Sequence, residues 1–303
     1  MRDNQFRSFI SDERIIKELI DPHTKLVLVL GASDTGKTSL IEGMADFLSA
    51  TSEVGIVDLD IGQSHIGPPT TVAWGKVGKG FSGWKNITPE DFYFTGAVSP
   101  VGNLVSMLTG SILVTSRALS ACEKVIVDTT GLIQEPAGRV LKQHKIDLLR
   151  PDVVISLERE RELSAILDPF TWHKSPILHR LPVPQKVVIK TPSERSLFRS
   201  SMFTHYFQND RLVKVSLKKI GFRFTGDFYG FTLETAKFMN ELQDNSTGLI
   251  GRIVSLRDER NTDRALGIIQ EFDEKEKKFL IRTPLGREFE ISTVVIGSLK
   301  VEV

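Results

Sequence analysis

The chain has 303 residues, 40% hydrophobic and 25% charged, with a formal net charge of +1. This is globular composition, enough for one large domain plus a small one, and it gives no global electrostatic argument for nucleic acid. A single cysteine, Cys122, excludes a disulfide framework and a Cys-rich zinc site and agrees with a reducing compartment. MRDNQFRSFISDER at the start lacks the apolar core of a signal peptide, and no run approaches the roughly 18 apolar residues of a membrane span; the expectation is a soluble, cytoplasmic protein away from any membrane.

Residues 1–24 read as a leading helix whose apolar face (Phe9, Ile10, Ile15, Ile16, Leu19, Ile20) ends at Asp21-Pro22. Next comes the apolar run Lys25 to Leu30, and then Gly31, Ala32, Ser33, Asp34, Thr35, Gly36, Lys37, Thr38 and Ser39, which fit G-x-x-x-x-G-K-[ST] without mismatch. Leu40, Ile41, Met44 and Leu48 follow at helical spacing. Strand, glycine-rich loop and helix together predict a phosphate-binding loop: backbone N–H groups turned inward at a helix N-terminus, Lys37 on the β and γ phosphates, and the Thr38 hydroxyl on Mg²⁺.

Four further short apolar runs, Val54 to Asp60, Lys124 to Gly131, Asp152 to Leu157 and Lys186 to Lys190, are uninterrupted rather than alternating, as strands covered on both faces are. Helical stretches lie between them at Val101 to Cys122, Ala137 to Leu149 and Ser193 to Phe207. The alternation predicts an α/β fold, a doubly wound and mainly parallel sheet of P-loop NTPase type, with ligands at the carboxyl ends of its strands. Beyond about Phe224 the texture becomes β-rich, and GLIGRIVSL, RALGIIQEF, KKFLIRT, REFEIS and VVIGSLKVEV alternate with charged turns. This predicts a small antiparallel, barrel-like domain over 245–303, after a P-loop domain over 25–244.

Two strand ends carry carboxylates. The second strand closes on Asp58-Leu59-Asp60-Ile61-Gly62-Gln63; residues two apart share a face, so both aspartates are expected to look toward the γ-phosphate, one holding metal and one taking a proton. Asp128, at the tip of the third strand, stands like a Walker-B aspartate. As metal ligands Asp58 and Asp128 are not ranked by sequence, and the alternative for the Asp58/Asp60 pair is a cap on the next turn. From Lys186 to Arg223 there are nine basic residues against two acidic ones, whereas the tail from Arg252 onward balances ten against ten; the plain explanation of the local excess is a solvated helix face. The six histidines show no ligand spacing, though His65 follows Gln63 closely.

The order of Asp34-Thr35 within the loop, D-x-D-x-G-Q at Asp58 to Gln63, Gly67-Pro68-Pro69-Thr70, Phe94 to Asn103, and Asp128-Thr129-Thr130-Gly131 resembles the polynucleotide 5′-hydroxyl kinase family, in its compact archaeal form. That family includes RNA kinases of pre-mRNA cleavage, tRNA splicing and rRNA processing. The resemblance covers roughly 25–215 and implies transfer of the ATP γ-phosphoryl, with Mg²⁺, to the 5′-hydroxyl end of RNA or DNA, and RNA-processing proteins as partners. It implies Lys37 on the phosphates, Asp60 as general base, Gln63 with Thr130 and Gly131 beside the substrate, and a lid over about 191–208. In that lid Arg195 and Arg199, four apart on one helix face, would meet the developing charge. Glu158-Arg159 is similar to the family's pair near the nucleotide base.

The sequence departs from that pattern twice. Ser200 to Phe203 supply no third lid arginine, and Leu132 stands where a tryptophan stacks on a base in eukaryotic relatives, which leaves Trp74, Trp84 and Trp172 as candidate stackers. Two other readings stay open: an ATP-binding scaffold of an RNA-processing complex that transfers nothing, and a P-loop ATPase with water as acceptor.

Overall fold

The computed structural model describes residues 10, 12–78, 80–218, 220–226, 248–273, 275–286 and 289–301. The sequence-predicted leading helix lies partly outside this set; within it, α1 spans Glu13–Ile20, and Ile15 and Leu19 are buried in the same core as Val27 and Leu40.

The first sheet is laid down by short apolar strands that leave no polar face: β1 (Leu26–Gly31), β2 (Val54–Leu59), β5 (Lys124–Thr129) and β6 (Val153–Glu158) are buried from end to end. With β3 (Thr71–Lys76), β4 (Asp91–Phe94) and β7 (Ile177–Pro182) they run in the order β4-β3-β2-β5-β1-β6-β7. From β2 to β7 the pairing is parallel; β3 is antiparallel to both of its neighbours. Helices cover both faces, as a sheet apolar on both sides requires. Among them are α2 (Lys37–Leu48), α3 (Leu104–Ala121), α4 (Pro136–Leu149) and the short α5 (Ser164–Leu167). By length and composition α3 is apolar enough to cross a membrane; here its Met107, Val114 and Ala118 pack against Val57, Val72 and Tyr93 of the sheet.

Two sequence expectations are corrected. Lys186 to Lys190 is not a strand: Val188 and Ile189 are 80% and 74% exposed, and the edge of the sheet is β7. That edge strand carries His179 and Arg180, a mixture that a search for uninterrupted apolar runs passes over. The boundary near Asn245 also does not separate the sheets. β8 (Arg211–Ser216) and β9 (Gly221–Phe224) lie before it, yet pair with β12 (Lys278–Thr283) and β13 (Thr293–Lys300). With β10 (Arg252–Arg257) and β11 (Asp263–Asp273) they form a sheet in the order β8-β12-β11-β10-β13-β9. β8 reads as polar because its alternate residues Leu212 and Lys214 face outward. REFEIS is not a strand among its described residues, 289–292.

The second sheet is fastened to the first at β4. The Asp263 carboxylate takes two hydrogen bonds from the buried Arg257 guanidinium, 2.7 and 3.0 Å, and a third from the Phe94 N–H, 3.0 Å. Phe94, Ile253, Leu266 and Val295 fill the seam, and Gly297 lies so close to Gly96 that an added Cβ would stand 2.8 Å from its carbonyl. The helix expected from the sequence as the lid, α6 (Pro192–Tyr206), ends here: the Tyr206 hydroxyl accepts the Leu266 N–H at 2.9 Å.

Candidate active site

The phosphate loop is shaped by its own residues. Gly36 sits at φ +90°, the left-handed conformation glycine adopts at little cost, and Asp34 at φ +54°, which aspartate tolerates better than most residues. The Thr35 hydroxyl donates to the Ala32 carbonyl at 3.0 Å, and the Lys37 ammonium to the same carbonyl at 2.7 Å. Gly36 caps α2 without any side chain, so the N–H groups of the first turn are left for an anion. Lys37 is buried, and burial lowers its pKa against the pull of Asp128, Asp60 and Asp34. Gly131 presses on the loop from β5; a Cβ there would stand 2.5 Å from the Ser33 nitrogen.

One cleft opens above this loop. Ser33, Asp34, Lys37 and Thr38 of the loop, Asp60, Gln63 and His65 beyond β2, Asp128 and Gly131 at and beyond the tip of β5, and Lys190 and Arg195 all line it. Thus Lys37, Thr38, Asp60, Gln63, Asp128, Gly131 and Arg195 share the cleft. Ala32, Thr35, Gly31 and Gly36 are its framework, and Ser39 sits within α2. Arg199, one turn along the lid, is part-exposed and does not line the cleft.

The two aspartates of D-x-D are divided between different tasks. β2 ends at Leu59, so strand alternation does not carry to Asp60. The wholly buried Asp58 carboxylate is spent on its own loop, accepting the N–H groups of Asp60 (2.9 Å), His65 (2.6 Å) and Ile66 (3.0 Å). It does not line the cleft. Burial, with the Asp60 charge beside it, pushes Asp58 up to about 7 against the pull of those hydrogen bonds. Asp60 in turn steadies the turn beyond it, its Oδ1 accepting Gly62 and Gln63 N–H at 3.1 Å each. Asp128 is buried, takes the Thr129 N–H at 2.7 Å, and is likewise raised to about 7 by burial, with Lys37 opposing. Thr130 faces away: its carbonyl and hydroxyl accept the buried Lys142 ammonium at 2.6 and 3.1 Å.

The lid is tied down by polar contacts. Thr191 and Glu194 form a reciprocal capping box at its start. The Arg195 guanidinium pairs with the Asp34 carboxylate, and the Gln63 side-chain amide donates to the Arg195 carbonyl at 3.1 Å. Arg159 reaches the Asp34 carbonyl at 2.7 Å from beyond β6. Trp74 and Trp84 are buried at 5% and 4% exposure, whereas Trp172 is 93% exposed, so only Trp172 presents its ring openly to solvent.

Sequence reasoning missed Lys142 and Lys145, both with no exposed surface. Their spacing with Leu141 and Ile146 was the available signal, since it sets both lysines on the apolar face of α4. Lys145 has no hydrogen-bond partner among the described residues, and burial brings it down to about 7 despite the nearby Asp60, Asp128 and Asp58.

The donor set is all oxygen (Thr38 hydroxyl, Asp128 carboxylate) and so fits a hard divalent cation held mostly by phosphate and water. Among the described residues no group of three or more His, Cys, Asp or Glu forms a protein cage for an ion.

Residues 31–209 match the family model described as the P-loop of the mRNA cleavage and polyadenylation factor CLP1. The chain is 35% identical over 227 residues to a polyribonucleotide 5′-hydroxyl-kinase of Pyrococcus horikoshii, covering 75% of this chain and 61% of that protein. It is 33% identical over 217 residues to one of Methanocaldococcus jannaschii, covering 71% and 59%. The chain therefore matches about three fifths of the length of these relatives. The solved structure of wild-type Clp1p with Pcf11p (454–563) superposes with a TM-score of 0.71 over 95% of this chain and 77% of that one, at 14% identity, a likeness of fold. A family match over more than half of the chain, on a site where loop, strand tips and lid converge, settles its kinship: the chain belongs to the CLP1 P-loop family.

Proposed function

We propose that this protein is an ATP-dependent polynucleotide 5′-hydroxyl kinase acting on RNA or DNA ends. The observation that carries the reading is the cleft itself, lined together by the phosphate loop, the Asp60 carboxylate and Arg195. The names borne by the Pyrococcus and Methanocaldococcus relatives support it.

In this reading Asp60 takes the proton of the 5′-hydroxyl as its oxygen attacks the γ-phosphorus, and the bond to the β–γ bridging oxygen breaks to release ADP. Lys37 and the loop amides hold the phosphates. Thr38 and Asp128 would hold Mg²⁺, which would supply positive charge beside the phosphates. Asp58 sets the acceptor loop and stays off the metal, since its oxygens already serve three backbone N–H groups. Gln63 and Gly131 lie where the substrate end would enter, and Thr130 shapes that edge from behind. Arg195 meets the charge of the transferred group; Arg199 joins it only if the lid rotates. A reducing, intracellular setting among RNA-processing proteins goes with this reading, and the free, half-buried Cys122 fits it.

A second reading, an ATP-holding scaffold without transfer, is favoured by the placement of Arg199 outside the cleft lining. One assay separates the two. With γ-labelled ATP and a 5′-hydroxyl oligonucleotide, the kinase labels the oligonucleotide and Lys37→Ala abolishes the label. A scaffold binds ATP and labels nothing, and an ATPase with water as acceptor releases phosphate without the oligonucleotide.

A further inference from the structure

The lid helix has no wholly buried residue, and its apolar packing is at its C-terminal end, where Phe203 and Tyr206 meet the seam between the sheets. Nearer the cleft, besides the Arg195 contacts, a column of rings reaches it. The Phe198 ring meets the His65 imidazole with centroids 5.3 Å apart, and His65 also meets the buried Trp84 ring at 5.1 Å, both tilted 43°. Above, the Lys190 ammonium lies 5.5 Å from the Phe198 centroid. Below, the Trp84 indole N–H donates to the Thr38 carbonyl at 3.2 Å, and its backbone N–H to Glu42 at 3.2 Å. The column thus runs from the lid, through the acceptor loop, to the first turn of the phosphate-loop helix.

We propose that His65 is a positioning residue, the ring against which the closed lid registers so that lid, acceptor loop and phosphate loop take up one geometry together. It rests on the kinase reading for its consequence, though the docking it describes does not. His65 suits this place because Asp58 fixes its backbone by accepting its N–H at 2.6 Å. Its Nδ1 is buried with no hydrogen-bond partner among the described residues, and its ring contacts are to Phe198 and Trp84. Burial also lowers its pKa, which favours a neutral ring beside Lys190.

The test is amide hydrogen exchange over residues 192–206 in the full chain without substrate, together with steady-state labelling of a 5′-hydroxyl oligonucleotide. His65→Ala should speed lid exchange by roughly three- to tenfold, the worth of one aromatic contact, while β1 amides keep wild-type protection. His65→Phe, which keeps a ring, should restore lid protection and most of the oligonucleotide kcat/KM. Phe198→Ala, on the lid side of the same contact, should repeat the exchange effect and carries the test if His65→Ala fails to fold. Lid exchange unchanged in His65→Ala or Phe198→Ala overturns the proposal. So does His65→Phe with a normal lid but no recovered activity, which would assign the work to the imidazole nitrogen. Absence of labelling by the wild type would end the kinase reading alone, because the exchange results stand without it.

Discussion

The two walls of the cleft are built in different ways. The donor wall is nine consecutive residues that hold themselves: Gly36 in the left-handed region, Thr35 and Lys37 bonded to the Ala32 carbonyl, and the next residues already helical. The roof, formed by the lid helix, depends on side chains from three distant places, Asp34, Gln63 and His65, none within twenty residues of that helix. A self-held loop fails all at once, because each member serves the same anion site. A tethered roof loosens by degrees, and its loss should slow transfer while leaving ATP binding in place.

The largest expected effect lies on the donor wall. Lys37→Ala removes the one ammonium inside the loop and should cost about a thousandfold in oligonucleotide labelling, the scale of a lost transition-state donor. Survival of more than about a tenth of the activity would mean that the loop does not hold the transferred phosphoryl. A smaller effect probes the join between the walls. Asp34→Asn keeps a side chain that tolerates φ +54° but gives up the ion pair to Arg195. The expectation is a kcat lowered by about tenfold with the ATP Kd within about twofold, as for loss of one charge-assisted bond. Equal losses in ATP affinity and kcat would show that Asp34 belongs to the self-held wall alone.

The smallest effect is on stability. Lys145 is wholly buried, without a hydrogen-bond partner among the described residues, and its pKa is brought by burial from 10.5 down to about 7. Between these values the unfolded chain binds the proton that the folded chain has released, so stability rises with pH from about 7 toward 10.5. Below about 7 the buried charge is retained at full cost. Lys145→Met should remove this slope and raise stability at pH 6 by about 1–2 kcal/mol, read from denaturant midpoints at pH 6 and 9. A variant less stable than wild type at pH 6 would show that the acidic residues nearby more than offset the burial.

How much of this was legible in the sequence follows the same division. Gly31 to Ser39 could be read because the residues of the motif are contiguous, and the lid helix was legible from the stretch Ser193 to Phe207. Asp58 and Asp60 were misjudged as a pair sharing one face because β2 stops between them, and what stops it is a set of hydrogen bonds from Asp60, His65 and Ile66. Lys186 to Lys190 has the composition of a buried strand, but its two exposed apolar residues run toward the lid instead. β8 and β9 were assigned to the wrong side of the boundary because the strands that complete their sheet lie after residue 250. Arg195 lines the cleft, and its partner Asp34, a distance of 161 residues along the chain, could not be inferred from spacing.

The central claim, that Asp60 opposes the phosphate loop as the base for a 5′-hydroxyl, is tested most directly by Asp60→Asn. Asparagine keeps an oxygen for the Gly62 and Gln63 N–H groups, so the loop should hold. The measurement pairs ATP binding by calorimetry with single-turnover labelling of a 5′-hydroxyl oligonucleotide. The account predicts ATP affinity within about twofold of wild type and labelling slowed by about a hundred- to ten-thousandfold, the range for loss of a general base. Labelling at the wild-type rate, or a loss of ATP affinity that matches the loss of rate, would contradict it.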